Sequence, residues 1–234
     1  MDTIDIAMSV NDLLTPLPFK REDYTAHLYR PYSIKLHRQV NLFSHHRYDL
    51  WVLLETDTEV SKFNERVAKV PIASVNGQAF NATPSFVTLG FDKSVVIHNI
   101  INTDESESET GTNLKIEAWG KYCSNNNFKH QLWNSKKINA NAIELANLKR
   151  LLRFTSFAGL EVNNDIENSI LDELRNVKKT IYLKVIEYFP QSDPELIKVA
   201  LSRLIINRKI FSDISLSPLS MLTEVSVYHE FSKK

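Results

Sequence analysis

Residues 43–60 read FSHHRYDLWVLLETDTEV, and the reading of the chain turns on them. Leu50, Trp51, Leu53 and Leu54 recur at near-helical spacing while charges gather at both ends, the pattern of a short amphipathic helix docked on a core. Arg47 falls in the first turn of that helix. One turn before Leu50 and Trp51, it faces the same way as the apolar stripe. An apolar or small residue is the ordinary choice there, and a surface arginine on an exposed first turn is the plain alternative.

To the N-terminal side, Pro16, Pro18 and Pro31 interrupt regular structure, so residues 1–30 are expected to be a flexible arm. YSIKLHRQVNLF then alternates as a strand does. Lys20, Arg21, Arg30, Lys35, Arg38 and Arg47 face only Glu22, Asp23 and Asp49 across residues 15–50. A solvated face explains this basic window. Phosphate contact is the second reading, with Lys20, Arg21, Arg30, Lys35 and Arg38 as DNA-binding candidates beside Tyr24, Tyr29 and Tyr32.

To the C-terminal side, AKVPIASVNG and SFVTLGFD are expected strands around turn residues Asn76, Gly77 and Pro84. SVVIHNII is a short apolar run expected of a central strand covered on both faces. NTDESESETGTN has no apolar residue and is expected to be an exposed loop rather than a metal site. LKIEAWGKYC is read as a helix, HQLWN as a strand and AIELANLKRLLRF as a strongly periodic helix. Strands alternating with helices in this way give an α/β domain of mixed sheet, with expected limits 31–158.

Beyond that point the pattern changes to helices: DIENSILDELRN, KKTIYLKVIEYF and SDPELIKVALSRLIINRK, the last with Ser192 or Asp193 as cap and Pro194 in the first turn. IFSDISLSPLSMLTEVSVYHEF adds two short strands around Pro218. Three helices and a two-stranded ribbon are the layout of a winged helix, expected over 159–234, a fold that enters DNA grooves or grips proteins. Leu196, Ile197, Val199, Ala200, Leu201, Leu204 and Ile205 make the third helix too apolar for groove reading, so Arg203, Arg208 and Lys209 are candidate partner contacts.

The 234 residues carry 28 Lys plus Arg against 28 Asp plus Glu. With no net field, nothing global argues for nucleic acid or an acidic membrane. The single cysteine, Cys123, excludes an internal disulfide or a cysteine metal cluster and reads as a buried thiol. MDTIDIAMSVNDLLTPLPFKR lacks a sustained apolar run, so neither a signal peptide nor a membrane span is expected there, and the expected location is the cytoplasm.

Taken in order, YSIKLHRQVNLFSHHRYDLWVLLETDTEVSKFNERV, NATPSFVTL and SVVIHNI resemble the N-terminal domain of TnsA, the endonuclease subunit of heteromeric Tn-seven-type transposases. Residues 160–230, including IFSDISLSPLSMLTEV, resemble its C-terminal domain, so the similarity spans most of the chain. The resemblance implies a restriction-endonuclease-like domain followed by a winged-helix-like interaction domain. It also implies transposon-end DNA, a TnsB-like transposase and a TnsC-like ATPase regulator as partners, with no membrane partner.

That family binds Mg2+ through a glutamate on the first helix and an aspartate opening a strand, with a lysine ending the next strand. Two carboxylates hold the hard cation, and the metal activates water and neutralises charge on the scissile phosphate. By the resemblance these positions fall on Arg47, Ser85 and Asn99, so no catalytic residue is intact. A guanidinium cannot coordinate a cation. The expectation is therefore a catalytically inactive subunit without a metal cofactor. The alternatives are an active Mg-dependent endonuclease with an active site displaced onto Asp49, Asp92 or His98, and a winged-helix DNA-binding regulator.

Overall fold

In the computed structural model, residues 8–19, 27–73, 79–101, 109–155 and 164–227 are described. The elements in chain order are α1 (Val10–Leu14), β1 (Tyr32–Ser33), β2 (Arg38–Gln39), α2 (His45–Thr56), β3 (Val60–Asn64), β4 (Val70–Ala73), β5 (Ala79–Ala82), β6 (Phe86–Gly90), β7 (Val95–Ile100), α3 (Glu109–Asn125), β8 (Lys129–Trp133), α4 (Ser135–Ile138) and α5 (Ala142–Thr155). They continue with α6 (Asn164–Val177), β9 (Lys179–Ile181), α7 (Tyr182–Glu187), α8 (Pro194–Ile206), β10 (Ile210–Ser212) and β11 (Glu224–Val227). This is an α/β protein with a mixed sheet and several helices. Two compact units divide between Ile138 and Asn139, and residues 32–34 and 51–58 also belong to the second. The periodic helix α5 therefore goes with the C-terminal unit, whereas the sequence suggested a junction near residue 158.

The first unit is built on a four-stranded sheet of order β3-β6-β7-β8. β3, β6 and β7 run antiparallel, and a tight turn joins β6 to β7, in which the Gly90 N–H donates to the Ser94 carbonyl and Asp92 Oδ1 accepts the Ser94 N–H. β8 lies parallel to β7, pairing Val96 with Lys129 and Ile100 with Trp133, and a parallel neighbour requires a crossover, which α3 supplies. SVVIHNII is thus an inner strand, as its unbroken apolar run suggests. Ile97, Val87 and Val95 pack with Ala118, Trp119, Tyr122 and Cys123 of α3 in one buried cluster. Burial pushes the Cys123 thiol up to about 12, so it is an inert core group.

Three local expectations change. YSIKLHRQVNLF is not one strand: β1 and β2 flank a turn that ends at His37, whose φ of 51° is left-handed. Residues 8–19 of the expected arm hold the capped helix α1, where Ser9 and Asp12 satisfy each other's backbone N–H groups. Leu13 is fully buried, and the Asn64 amide donates to the Leu13 and Thr15 carbonyls. The last residues of the acidic stretch, from 109 onward, form the start of α3; residues 102–108 lie outside the described residues. Among the described residues no helix is long and apolar enough to cross a membrane.

In the second unit, Asp193 caps α8 by accepting the Glu195 N–H, with Pro194 opening the helix. Ile197, Ala200, Leu201 and Leu204 of α8 are fully buried. KKTIYLKVIEYF is not a single helix. Lys178 takes a φ of 64° and closes α6, and residues 179–181 become β9, edge of an antiparallel sheet of order β10-β11-β9. Its partner is remote in sequence, Thr180 facing Val225, so local periodicity does not reveal it.

The loop between β10 and β11 is fastened to α5. The buried Asn147 amide donates to the carbonyls of Ile214 and Ser217, each at 2.7 Å, and its oxygen accepts the Leu219 N–H at 2.8 Å. Asn141 and Arg150 add bonds to the Ser215 and Leu219 carbonyls. Replacing Asn147 leaves these backbone groups unsatisfied, so Asn147→Leu is expected to cost about 2 to 4 kcal/mol in urea denaturation. A loss below about 0.5 kcal/mol, the level of an ordinary surface change, would refute the clamp.

Candidate functional site

Ser44 Oγ accepts the Arg47 N–H at 3.1 Å, so the residue before α2 caps its first turn and fixes where the arginine points. The Arg47 guanidinium donates through Nη2 to two main-chain carbonyls, Glu65 at 2.7 Å and Ser85. Its Cζ lies 5.3 Å from the centre of the Phe86 ring, within cation–π range. One side chain thereby joins α2, the exit of β3 and the entry to β6.

Ser85 in turn is tied to β7. Its N–H donates to the His98 carbonyl at 2.8 Å, and its Oγ accepts the Ile100 N–H at 3.0 Å. The Asn99 amide nitrogen lies 3.0 Å from His130 Nε2; that nitrogen accepts, which puts the imidazole proton on Nδ1. Burial lowers the His130 pKa, in keeping with a neutral ring. Ser85 and Asn99 line one cleft of about 340 Å³, together with Thr83, Thr112, Lys115 and Trp119. The structure therefore joins Arg47 to Ser85 and sets Ser85 beside Asn99.

A divalent cation does not fit these three positions. A guanidinium is all donor, the Asn99 amide nitrogen is directed at His130, and the Ser85 carbonyl already accepts from Arg47. Of the displaced ligands, His98 is buried with both ring nitrogens engaged. Trp133 Nε1 donates to His98 Nδ1 at 3.0 Å, so Nε2 carries the proton toward Thr88 Oγ1 at 2.9 Å. Asp92 is an exposed turn cap.

Sequence reasoning missed Glu65. It is buried, and Arg38 grips both its oxygens at 2.8 and 2.7 Å, while Arg66 Nε stands 3.5 Å away. Burial pushes the carboxyl upward, but the Arg38 hydrogen bonds and charge, with the Asn41 N–H, outweigh it and hold the pKa below its ordinary value. The signal in the sequence was a lone Glu-Arg pair ending an apolar strand, with nothing local to mark its partner Arg38.

The expected DNA contacts are described only in part. Lys20 and Arg21 lie outside the described residues. Arg30 is exposed, its Cζ 5.9 Å from the Phe19 ring centre; Lys35 donates to the Val60 carbonyl, and Arg38 is committed to Glu65. In the second unit, Arg203 Nε and Lys209 Nζ stand 2.8 and 3.2 Å from the buried Glu167 carboxylate. These two of the expected partner contacts are therefore held by an internal ion pair, leaving Arg208 exposed. Apolar exposure lies elsewhere: Leu216, Met221 and Leu222 are 76%, 44% and 69% accessible, on or beside the loop that Asn147 fastens.

No protein-family model and no curated protein matches the sequence.

Arg47→Leu is expected to lose about 2 to 4 kcal/mol of stability, because two carbonyls lose a charged donor. Arg47→Lys, with a shorter reach and no guanidinium plane over Phe86, should recover only part of it; a loss below about 0.5 kcal/mol for Arg47→Leu in thermal unfolding would refute the bridging role. His98 gives a pH signature. Burial first, then the charges of Lys137 and His130, push it down to about 3 from 6.5. The unfolded chain binds the proton more readily between those values, so stability is full above pH 6.5 and falls on acidification. The fall reaches up to about 1.4 kcal/mol per pH unit. His98→Gln should flatten that slope in denaturant midpoints measured from pH 7 to pH 4; an unchanged slope would assign it to other groups.

Proposed function

We propose that the chain is a restriction-endonuclease-like protein that has exchanged its metal-binding set for a guanidinium bridge. On this reading it serves as a catalytically inactive TnsA-like subunit of a DNA transposition complex. The carrying observation is the convergence of Arg47, Ser85 and Asn99. The resemblance assigns the three family catalytic positions to residues far apart in sequence, and the fold joins the first two and sets the second and third on one cleft.

The element order supports the same reading. A helix, three antiparallel strands, a crossover helix and a final parallel strand, α2-β3-β6-β7-α3-β8 with the β4–β5 hairpin inserted, is the order a restriction-endonuclease-like core requires. The second unit runs α6-β9-α7-α8-β10-β11 with sheet order β10-β11-β9, the order of a winged helix whose first strand completes the ribbon. Its third helix is buried on its apolar side, and its fastened loop exposes Leu216 and Leu222. Such a surface suits protein contact better than groove reading. The transposition role itself, with transposon-end DNA, a TnsB-like transposase and a TnsC-like ATPase as partners, rests on the resemblance. A transposase lacking this subunit's strand cleavage would leave donor and target joined as cointegrates.

A divalent-metal titration tests the reading. The native chain is expected to give no saturable Mg2+ or Mn2+ heat, whereas the triple variant Arg47→Glu, Ser85→Asp, Asn99→Lys binds metal. Tight Mg2+ binding by the native chain, with metal-dependent nicking of end DNA, would overturn it in favour of a displaced active site.

A further inference from the structure

In the second unit a pocket of about 430 Å³ lies between the end of α5, the start of α7, the first turns of α8 and the loop joining β10 to β11. Its walls are bonded to one another. From α5, Arg150 Nη1 donates to the Leu219 carbonyl of the loop at 3.0 Å. From α7, the Tyr182 and Leu183 N–H groups donate to the Thr223 and Met221 carbonyls, each at 2.9 Å. The Tyr182 hydroxyl donates in turn to the Lys198 carbonyl of α8 at 3.2 Å. With Asn147 also holding the loop, the pocket stands ready before anything enters it, as small-ligand pockets usually do. Its lining has two parts. Phe154 and Leu219 are half-buried and Met221 is 44% accessible, so apolar surface is open to a ligand there. Arg150 and Arg153 are exposed and, three residues apart, lie on one side of α5. Lys198 is engaged by Glu195 at 2.6 Å, which leaves the two arginines as the groups that draw an anion. The single bond from Arg150 to the loop uses one of the five N–H groups of its guanidinium.

From this arrangement we infer that the pocket binds a small organic carboxylate with an aromatic or aliphatic body. The body lies against Phe154, Leu219 and Met221, and the carboxylate is held at the rim by Arg150 and Arg153. Planar guanidinium groups match a carboxylate through paired hydrogen bonds, which a lysine offers only as a point charge. A singly charged head suits walls this apolar, because a doubly charged phosphate costs more to strip of water. The volume of about 430 Å³ falls within the range of pockets for small ligands and encloses a body of one ring or a medium-length chain. The exposed Leu216 and Leu222, which carry the protein-contact role of the loop, do not line this pocket. The site is therefore additional to that role. It uses the second unit alone and draws neither on transposition nor on the positions Arg47, Ser85 and Asn99.

The test is binding heat of the full chain on addition of octanoate and phenylbutyrate, each beside the primary amide and the primary amine of the same body. A short end-blocked peptide of alternating acidic and apolar residues is the remaining probe. At least one carboxylate should bind saturably, with its amide at least about tenfold weaker, as expected when charged hydrogen bonds are lost, and its amine weaker still. Arg153→Glu, at an exposed position, should weaken the carboxylate at least about tenfold and improve the amine, a reversal of preference that a merely structural role for Arg153 would not give. Met221→Asp, also exposed, should weaken both by setting a carboxylate against the apolar body. Absence of saturable carboxylate binding at millimolar concentration overturns the inference, as does an amide that binds as tightly as its carboxylate. Binding indifferent to both Arg153→Glu and Met221→Asp overturns it too, and binding by the peptide alone overturns it in favour of a protein segment. A chain that binds carboxylate here yet also binds Mg2+ and nicks DNA keeps this site and loses the inactive-subunit reading, so the two fail separately.

Discussion

The first unit depends on where one guanidinium finds its acceptors. Arg47 stands at the start of α2 and reaches the main-chain carbonyls of Glu65 and Ser85, the first just after β3 and the second just before β6. A single charged nitrogen, Nη2, meets both at once while the guanidinium plane lies near the Phe86 ring. Charge balance is restored nearby. Glu65 is buried and ionised because Arg38 takes both of its oxygens, so the positive cluster around α2 is anchored by one carboxylate rather than left to repel itself.

That bridge sets the entry of β6, and the entry of β6 sets the cleft. Ser85 is sewn to β7 on both sides, through His98 and Ile100, so the chain has little freedom where the cleft opens. Behind it, His98 is a neutral spacer. Its tautomer is fixed between Trp133 and Thr88 and its side chain is buried, whereas Asn99, beyond Ile97 on the face that α3 covers, is only half-buried and reaches the cleft. The alternation of a strand thus separates a sealed histidine from an accessible amide one residue away.

The second unit solves a different problem by similar means. A long connection between β10 and β11 with leucines near its tip would ordinarily collapse or wander, and the buried Asn147 holds it by three backbone bonds. Rigid presentation of apolar side chains lowers the entropy lost when a partner covers them. In the same unit Arg203 and Lys209, each partly exposed, neutralise the buried Glu167.

Sequence alone determined the α/β class, the inner strand SVVIHNII, the helices α2, α5 and α8 with the Asp193 cap, and the short ribbon around Pro218. Each of these rests on local periodicity or a local capping bond, which a linear reading can see. Arg47, Ser85 and Asn99 were named from the resemblance alone, and nothing local in the sequence gave their contacts. Tertiary structure decided what depends on partners remote in the chain. Glu65 finds Arg38, β9 finds β11, Leu13 finds the first unit's core, and Arg203 finds Glu167. The breaks at His37 and Lys178 follow from left-handed backbone at non-glycine residues, which the surrounding fold imposes and no local preference announces.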